Sequence, residues 1–150
     1  MTDSRSCRVC FFPANSNCWE EYLTIAREMQ SRSLAAPVML ADVSLEERGA
    51  DLGQAVGLPL YRVPPVQEEE APGIMERALR KLRSPSSNLP FARRRYRKRF
   101  SARKAAFDES LDEIKPDTVV LSNGRTSIQD LPLIKACKER GVRTVAFPVA

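Results

Sequence analysis

The chain has 150 residues, 43% hydrophobic and 29% charged, with a net charge of +5. That is room for one compact domain with a true core and hardly for two, so residues 1–150 are expected to form a single domain. With no histidine present, Ser-His-Asp and Cys-His catalysis and any histidine-containing zinc site are excluded, and no window approaches the roughly 20 apolar residues needed to span a bilayer.

In chain order, "CRVCFFPA" (Cys7 to Ala14) is a short apolar run that predicts a buried first strand. The polar turn "NSN" follows, and then "CWEEYLTIAREMQSRS" places Trp19, Tyr22, Leu23, Ile25, Ala26 and Met29 at helical spacing. "APVMLADV" (Ala36 to Val43) predicts a second strand. Ser44 with Glu47 three residues later forms a capping-box pattern, which predicts a helix running on to a stop at Gly57. "LPLYRVP" (Leu58 to Pro64) predicts a short third strand.

"PPVQEEEAPG" predicts a loop, "IMERALRKLR" a short helix and "SPSSNLP" a break. A long helix is then expected over Phe91 to Ile114, because Tyr96, Phe100, Phe107, Leu111 and Ile114 make one continuous stripe. "KPDTVVLSN" predicts a fourth strand, "GRTSIQDLPLIKACKERG" a helix ending at Gly141, and "VRTVAFPVA" a fifth strand. Pro132 is compatible with the first turns of that last helix. Five apolar strands alternating with helices argue for an α/β, doubly wound, mainly parallel Rossmann-like sheet, with order 3-2-1-4-5.

In such sheets ligands bind beyond the carboxyl ends of the strands, where strand order reverses. That point lies between strands 1 and 4, which makes Asn15, Ser16 and Asn17 after the first and Ser122, Asn123, Gly124, Arg125 and Thr126 after the fourth the candidate ligand-binding residues. Two helix N-termini facing one crevice, with Arg125 as a charged donor, would suit an anion. The same residues also make ordinary caps and turns. Neither the dinucleotide glycine fingerprint nor the P-loop pattern follows strand 1, so NAD and ATP binding of those types are not expected. Cys7 and Cys10 fall within a strand, and Cys18 and Cys137 fall on helical patterns. Four buried reduced thiols are expected, and no metal site.

The tail "DEIKPDTVVLSNGRTSIQDLPLIKACKERGVRTVAFPVA" and the opening "VCFFPANSN…EEYLTIAREMQSRSLAAPVMLAD" together resemble the N-terminal, acceptor-side Rossmann-like domain of GT-B glycosyltransferases and relatives such as the UDP-N-acetylglucosamine 2-epimerase group. The resemblance covers most of the chain in order and rhythm. It implies an acceptor-binding role in bacterial surface-polysaccharide or related sugar transfer, with a sugar or lipid-linked acceptor. It implies no cofactor in this domain, and a sugar nucleotide held by a separate donor-binding domain or subunit, so that this chain is not active alone. The catalytic base that the family often places in these loops is frequently histidine. Here only Glu20, Glu21, Asp42 or Asp130 could stand in, and nothing in the sequence selects among them.

The charge is unevenly placed. From Arg77 to Lys104 there are twelve basic residues and no acid. The densest part, "FARRRYRKRFSARK", offers Arg93, Arg94, Arg95, Arg97, Lys98, Arg99 and Lys104 as anionic-surface contacts. Three readings stand: phosphate neutralisation on nucleic acid, contact with an anionic membrane surface or acceptor, and a simply solvated helix end. Tyr96 and Phe100 continue the apolar stripe and are expected to be packed, hence unavailable for stacking on bases. No known nucleic-acid-binding motif accompanies the run, which favours the membrane or acceptor reading. The chain is expected in the cytoplasm, with peripheral contact at the inner face of the membrane. The alternative is a non-catalytic α/β binding module that docks nucleic acid or another anionic polymer through this helix.

Overall fold

The computed structural model describes residues 6–66, 90–122 and 130–147. β1 (Arg8–Phe12) leads into α1 (Ser16–Ser31) and β2 (Ala36–Ala41). α2 (Val43–Glu47) and a 3-10 turn (Leu52–Ala55) precede β3 (Leu60–Arg62). α3 (Pro90–Ile114), β4 (Thr118–Leu121), α4 (Leu131–Glu139) and β5 (Arg143–Ala146) complete the described chain. The sheet is parallel throughout, in the order β3-β2-β1-β4-β5. This is the topology expected from the alternation of strands and helices. The helix expected over "IMERALRKLR" lies outside the described residues.

Strand pleating sends alternate side chains to opposite faces, and both faces are covered. Cys10, Phe12, Val38, Leu40, Val119 and Leu121 meet Phe107, Leu111 and Ile114 of α3 and Leu133, Ala136 and Cys137 of α4. Val9, Phe11, Met39 and Ala41 meet Trp19, Tyr22, Leu23 and Ala26 of α1. Burial on both sides is why β1 and β2 read as continuous apolar runs. The Trp19 indole also donates to the Asp51 carbonyl (3.0 Å), tying α1 to the turn that follows α2. β5 is an edge strand exposed at every residue.

Three expectations need correction. The helix expected from Ser44 to Gly57 is two short pieces, and its N-cap position falls on Asp42 rather than Ser44. Gly49 takes a positive φ of 89°, which ends α2, and the Asp51 carboxylate accepts from the Gly53 N–H (2.9 Å) to start the 3-10 turn. Cys7 is exposed while Cys10, Cys18 and Cys137 are buried, because β1 begins one residue later, at Arg8.

The third correction concerns Tyr96, which is 45% exposed, while Phe100 is half-buried and Phe107, Leu111 and Ile114 are fully buried. The stripe is continuous but the sheet beneath it is not. Twenty-five helical residues span about 37 Å, whereas a six-residue strand spans about 20 Å. Arg103 pairs with Asp42, the residue just after β2, so α3 is level with the carboxyl edge of the sheet there. The residues before Arg103 run past that edge. There Tyr96 touches Phe100 (centroids 6.1 Å apart), and Phe100 in turn carries the Lys135 ammonium at 5.7 Å.

α3 is clipped to α4 by charge. Lys104 bonds Asp108 (2.8 Å) and Glu139 (2.6 Å), and Arg140 bonds Asp108 and Asp112. Truncation should therefore separate the two ends of α3. Phe107→Ala is expected to cost about 3–5 kcal/mol and Tyr96→Ala less than about 1 kcal/mol in urea denaturation. Equal losses would mean that the helix is seated along its whole length.

Candidate functional site

The carboxyl edge of the sheet is organised by one hydroxyl. Ser122, at the end of β4, donates to the Phe12 carbonyl (3.0 Å) and accepts from the Ala14 N–H (2.7 Å). Phe12 is the last residue of β1, paired with Leu121, and the buried serine ties it and the first turn beyond it to the end of β4. The chain then turns into α1 through Asn15, whose extended backbone (φ −152°) and side-chain carbonyl, accepting from the Cys18 N–H (2.9 Å), make an N-cap. The Arg48 guanidinium donates to the Ala14 carbonyl (2.8 Å). Ser16 and Asn17 form the first turn of α1, half-buried and exposed respectively. Of the candidate ligand-binding residues, Asn15 to Asn17 and Ser122 are thus brought together at the β1–β4 seam. Asn123, Gly124, Arg125 and Thr126 lie outside the described residues.

A shallow cleft opens beside this seam, lined by Phe12, Pro13, Asp42, Arg48, Arg103 and Asp130. The four carboxylates that the sequence left equivalent separate here. Glu20 and Glu21 are exposed on α1. Asp42 is held by Arg103 (2.5 Å), which also lies over the Phe107 ring at 5.3 Å. Asp130 is 6% exposed, at the N-cap position of α4, and its side chain makes no capping bond.

Tyr22 projects from α1 toward the same seam. It has no exposed surface, its ring packs on Phe11 (5.4 Å), and its hydroxyl lies beside the Ser122 hydroxyl without a hydrogen bond of full geometry. Burial pushes the phenol up to about 12. The nearby Ser122 hydroxyl acts in the opposite sense, and the charges of Cys18, Glu21 and Asp130 add to the rise. Burial likewise pushes the Cys137 thiol up to about 11, and with Cys137 beside it raises the Cys10 thiol further. Both are inert core groups. Among the described residues no cluster of His, Cys, Asp or Glu could hold a metal ion, and no helix is long and apolar enough to cross a membrane.

Sequence reasoning missed Tyr22, which is indistinguishable from the other core positions of α1, and Arg103, which reads as one more member of the basic run. Asp130 precedes the Leu131-Pro132 helix start, a signal that places it at an N-cap but says nothing of its burial. In the basic run, residues Arg93 to Arg99 are all exposed, Tyr96 among them. Arg93, Arg95 and Lys98 are engaged by other groups of the chain. Arg94, Arg97 and Arg99 show no partner among the described residues. Lys104 is committed to the α3–α4 clip.

Two conservative changes test the seam. Ser122→Ala strands the Ala14 N–H and is expected to lose about 1–3 kcal/mol, whereas Tyr22→Phe removes an unsatisfied hydroxyl and is expected to gain about 1 kcal/mol. The phenol's folded pKa lies above its unfolded value of 10.0. Above that pH the unfolded state ionises first, so stability falls as pH rises from 10.0 toward 12. Tyr22→Phe should flatten that limb in thermal melts, and an unchanged alkaline limb would place the phenol in solvent.

No family model matches the chain, and no curated protein matches it. Likeness is found among solved structures. MurG of Acinetobacter baumannii aligns with a TM-score of 0.55 at 15% identity, over 93% of this chain and 33% of MurG. TcCGT1, solved in complex with UDP, aligns with a TM-score of 0.53 at 8% identity, over 95% of this chain and 28% of TcCGT1. The chain thus spans a third or less of the proteins it matches. At these identities the likeness is one of fold, and it is the likeness that the opening and the tail of the sequence imply: the chain has the doubly wound fold found within GT-B glycosyltransferases.

Proposed function

We propose that this chain is the acceptor-binding half of a GT-B-type glycosyltransferase in bacterial surface-polysaccharide or related sugar transfer. The donor sugar nucleotide is bound by a separate domain or subunit, and this chain is not active alone. The observation that carries the reading is the match of nearly the whole chain to a third or less of two GT-B glycosyltransferases. The site agrees with it. The cleft lies at the carboxyl edge of the sheet, where open α/β sheets bind ligands, between the ends of β1 and β2 with Asp130 beside it. The acceptor is a sugar or a lipid-linked sugar, held near the Ser122 end of β4 and the Arg125 loop. The test is a glycan array scored beside a UDP titration on the same protein. Binding to a subset of glycans with no UDP binding is expected. UDP binding without any glycan signal would overturn the assignment.

The part of α3 that runs past the sheet is assigned to an anionic membrane surface at the inner face of the cell membrane. Arg94, Arg97 and Arg99 are exposed there, beside the half-exposed ring of Tyr96. Each basic residue near such a surface contributes about 1 kcal/mol, so changing all three to glutamate should weaken co-sedimentation with phosphatidylglycerol vesicles roughly 100-fold. Equal binding to phosphatidylcholine vesicles would remove the membrane assignment. Tighter binding to duplex DNA at physiological salt would put the nucleic-acid reading in its place.

A further inference from the structure

The two edges of the sheet are built differently. β3 is three residues long, stands between Pro59 and the Pro64–Pro65 pair, and has Leu60 and Tyr61 half-buried. Short length and prolines keep such an edge from pairing with another chain. β5 has neither protection. Arg143 is its one charged residue, and Val145 and the following Phe147 are 46% and 44% exposed. Thr144 and Ala146 align with the buried Val119 and Leu121 yet are themselves exposed, so the helix cover stops at β4.

The backbone of β5 is open as well. The Arg143 and Phe147 N–H groups donate to the Asp117 and Leu121 carbonyls, toward β4. Successive residues of a strand point their N–H and C=O to opposite sides, so those of Thr144 and Ala146 point away from the sheet. No strand lies on that side among the described residues.

We infer that β5 pairs antiparallel with β5 of a second copy of this chain, about a twofold axis through Val145. The outward groups select both the partner and the register. With Val145 opposite its own copy, Thr144 of each chain meets Ala146 of the other. Residues so opposed exchange both N–H···O bonds, and every outward N–H and C=O of the two strands is used. A twofold through Thr144 would set Ala146 against Val142, whose N–H is already held by the Cys137 carbonyl. One through Ala146 would set Thr144 against Pro148, which has no N–H. The side chains agree with the same register. Arg143 then faces the Phe147 ring of the second copy, a favourable cation–π pairing, rather than its own like charge. Such an interface is self-complementary and closed, and makes one ten-stranded sheet of the two. The cleft at the ends of β1 and β2 lies on other strands and stays open in both copies, so the inference does not depend on what the cleft binds.

The test is sedimentation velocity of the whole chain at micromolar concentration. The parent protein is expected to sediment at twice its chain mass. Val145→Glu places two carboxylates on the axis and should halve that mass without changing the far-UV circular dichroism, since the side chain is exposed in the single chain. Register is read by cross-linking in a Cys7→Ser background, because Cys7 is exposed. Residues in a non-hydrogen-bonded antiparallel pair stand about 4.5 Å apart at Cα, within disulfide reach. Val145→Cys should therefore form a disulfide-linked dimer in mild oxidant, and Thr144→Cys should not. A parent chain that sediments as a monomer overturns the inference and leaves the edge to a strand of different sequence. So does a Val145→Glu variant that stays dimeric, or equal cross-linking at the two positions.

Discussion

Arg8–Phe12 is hydrogen-bonded to a parallel neighbour on each side and covered by helices on both faces, so neither its backbone nor its side chains can turn to water until the chain leaves the sheet. That constraint dictates the rest. A strand buried on two faces requires α1 on one side and α3 and α4 on the other. Because β2 and β3 extend the sheet one way and β4 and β5 the other, the connections part at the end of β1 and leave a crevice there. The chain turns away from the sheet there, from Pro13 onward. The Ser122 hydroxyl bonds the Phe12 carbonyl and the Ala14 N–H at once, and so fixes the geometry of the carboxyl edge between β1 and β4.

A second consequence comes from length. The helix that returns the chain from β3 to β4 needs only about 20 Å to cross the sheet, yet it is nearly twice as long. Its apolar residues from Phe107 onward are committed to the core, and the salt bridges from Lys104 and Arg140 to acids of α3 and α4 hold the two helices together. The surplus therefore falls entirely at the N-terminal end, on the same edge as the cleft. Arg103 stands at the boundary, pairing with Asp42 inside the cleft while the arginines before it face outward. One helix thus brings a single engaged guanidinium to the site and a dense positive charge to its rim.

How much of this was legible in the sequence follows from which interactions are local. Strand positions, the order of the sheet and the buried end of α3 were readable because apolar periodicity reports burial within a few residues. The failure at Tyr96 has the same origin: periodicity reports which face a residue occupies, not whether the sheet extends beneath it. The capping-box pattern at Ser44 was overruled by Gly49, whose positive φ ends the helix after five residues. Tyr22, Ser122 and Asp130 meet only through tertiary structure, across 100 and 108 positions of chain for the first with the other two, and no local pattern announces such a meeting. The role of Arg103 was hidden by its own neighbours, since seven other basic residues crowd the same stretch.

The placement of charge along this edge is itself informative. A site evolved to grip phosphate would be expected to bring its arginines inward and keep carboxylates out. Here the described part of the cleft balances two arginines, Arg48 and Arg103, against two carboxylates, Asp42 and Asp130. Asp130 sits at the start of α4, where the helix macrodipole favours a negative group, and this occupies with fixed charge the position that an anionic ligand would otherwise take. Both arginines are committed, Arg103 to Asp42 and Arg48 to the Ala14 carbonyl. Positive charge is kept for the overhang, about 20 Å of helix that leads away from the cleft. The two zones are thus distinct, paired charge at the cleft and a run of exposed basic residues along the first half of α3.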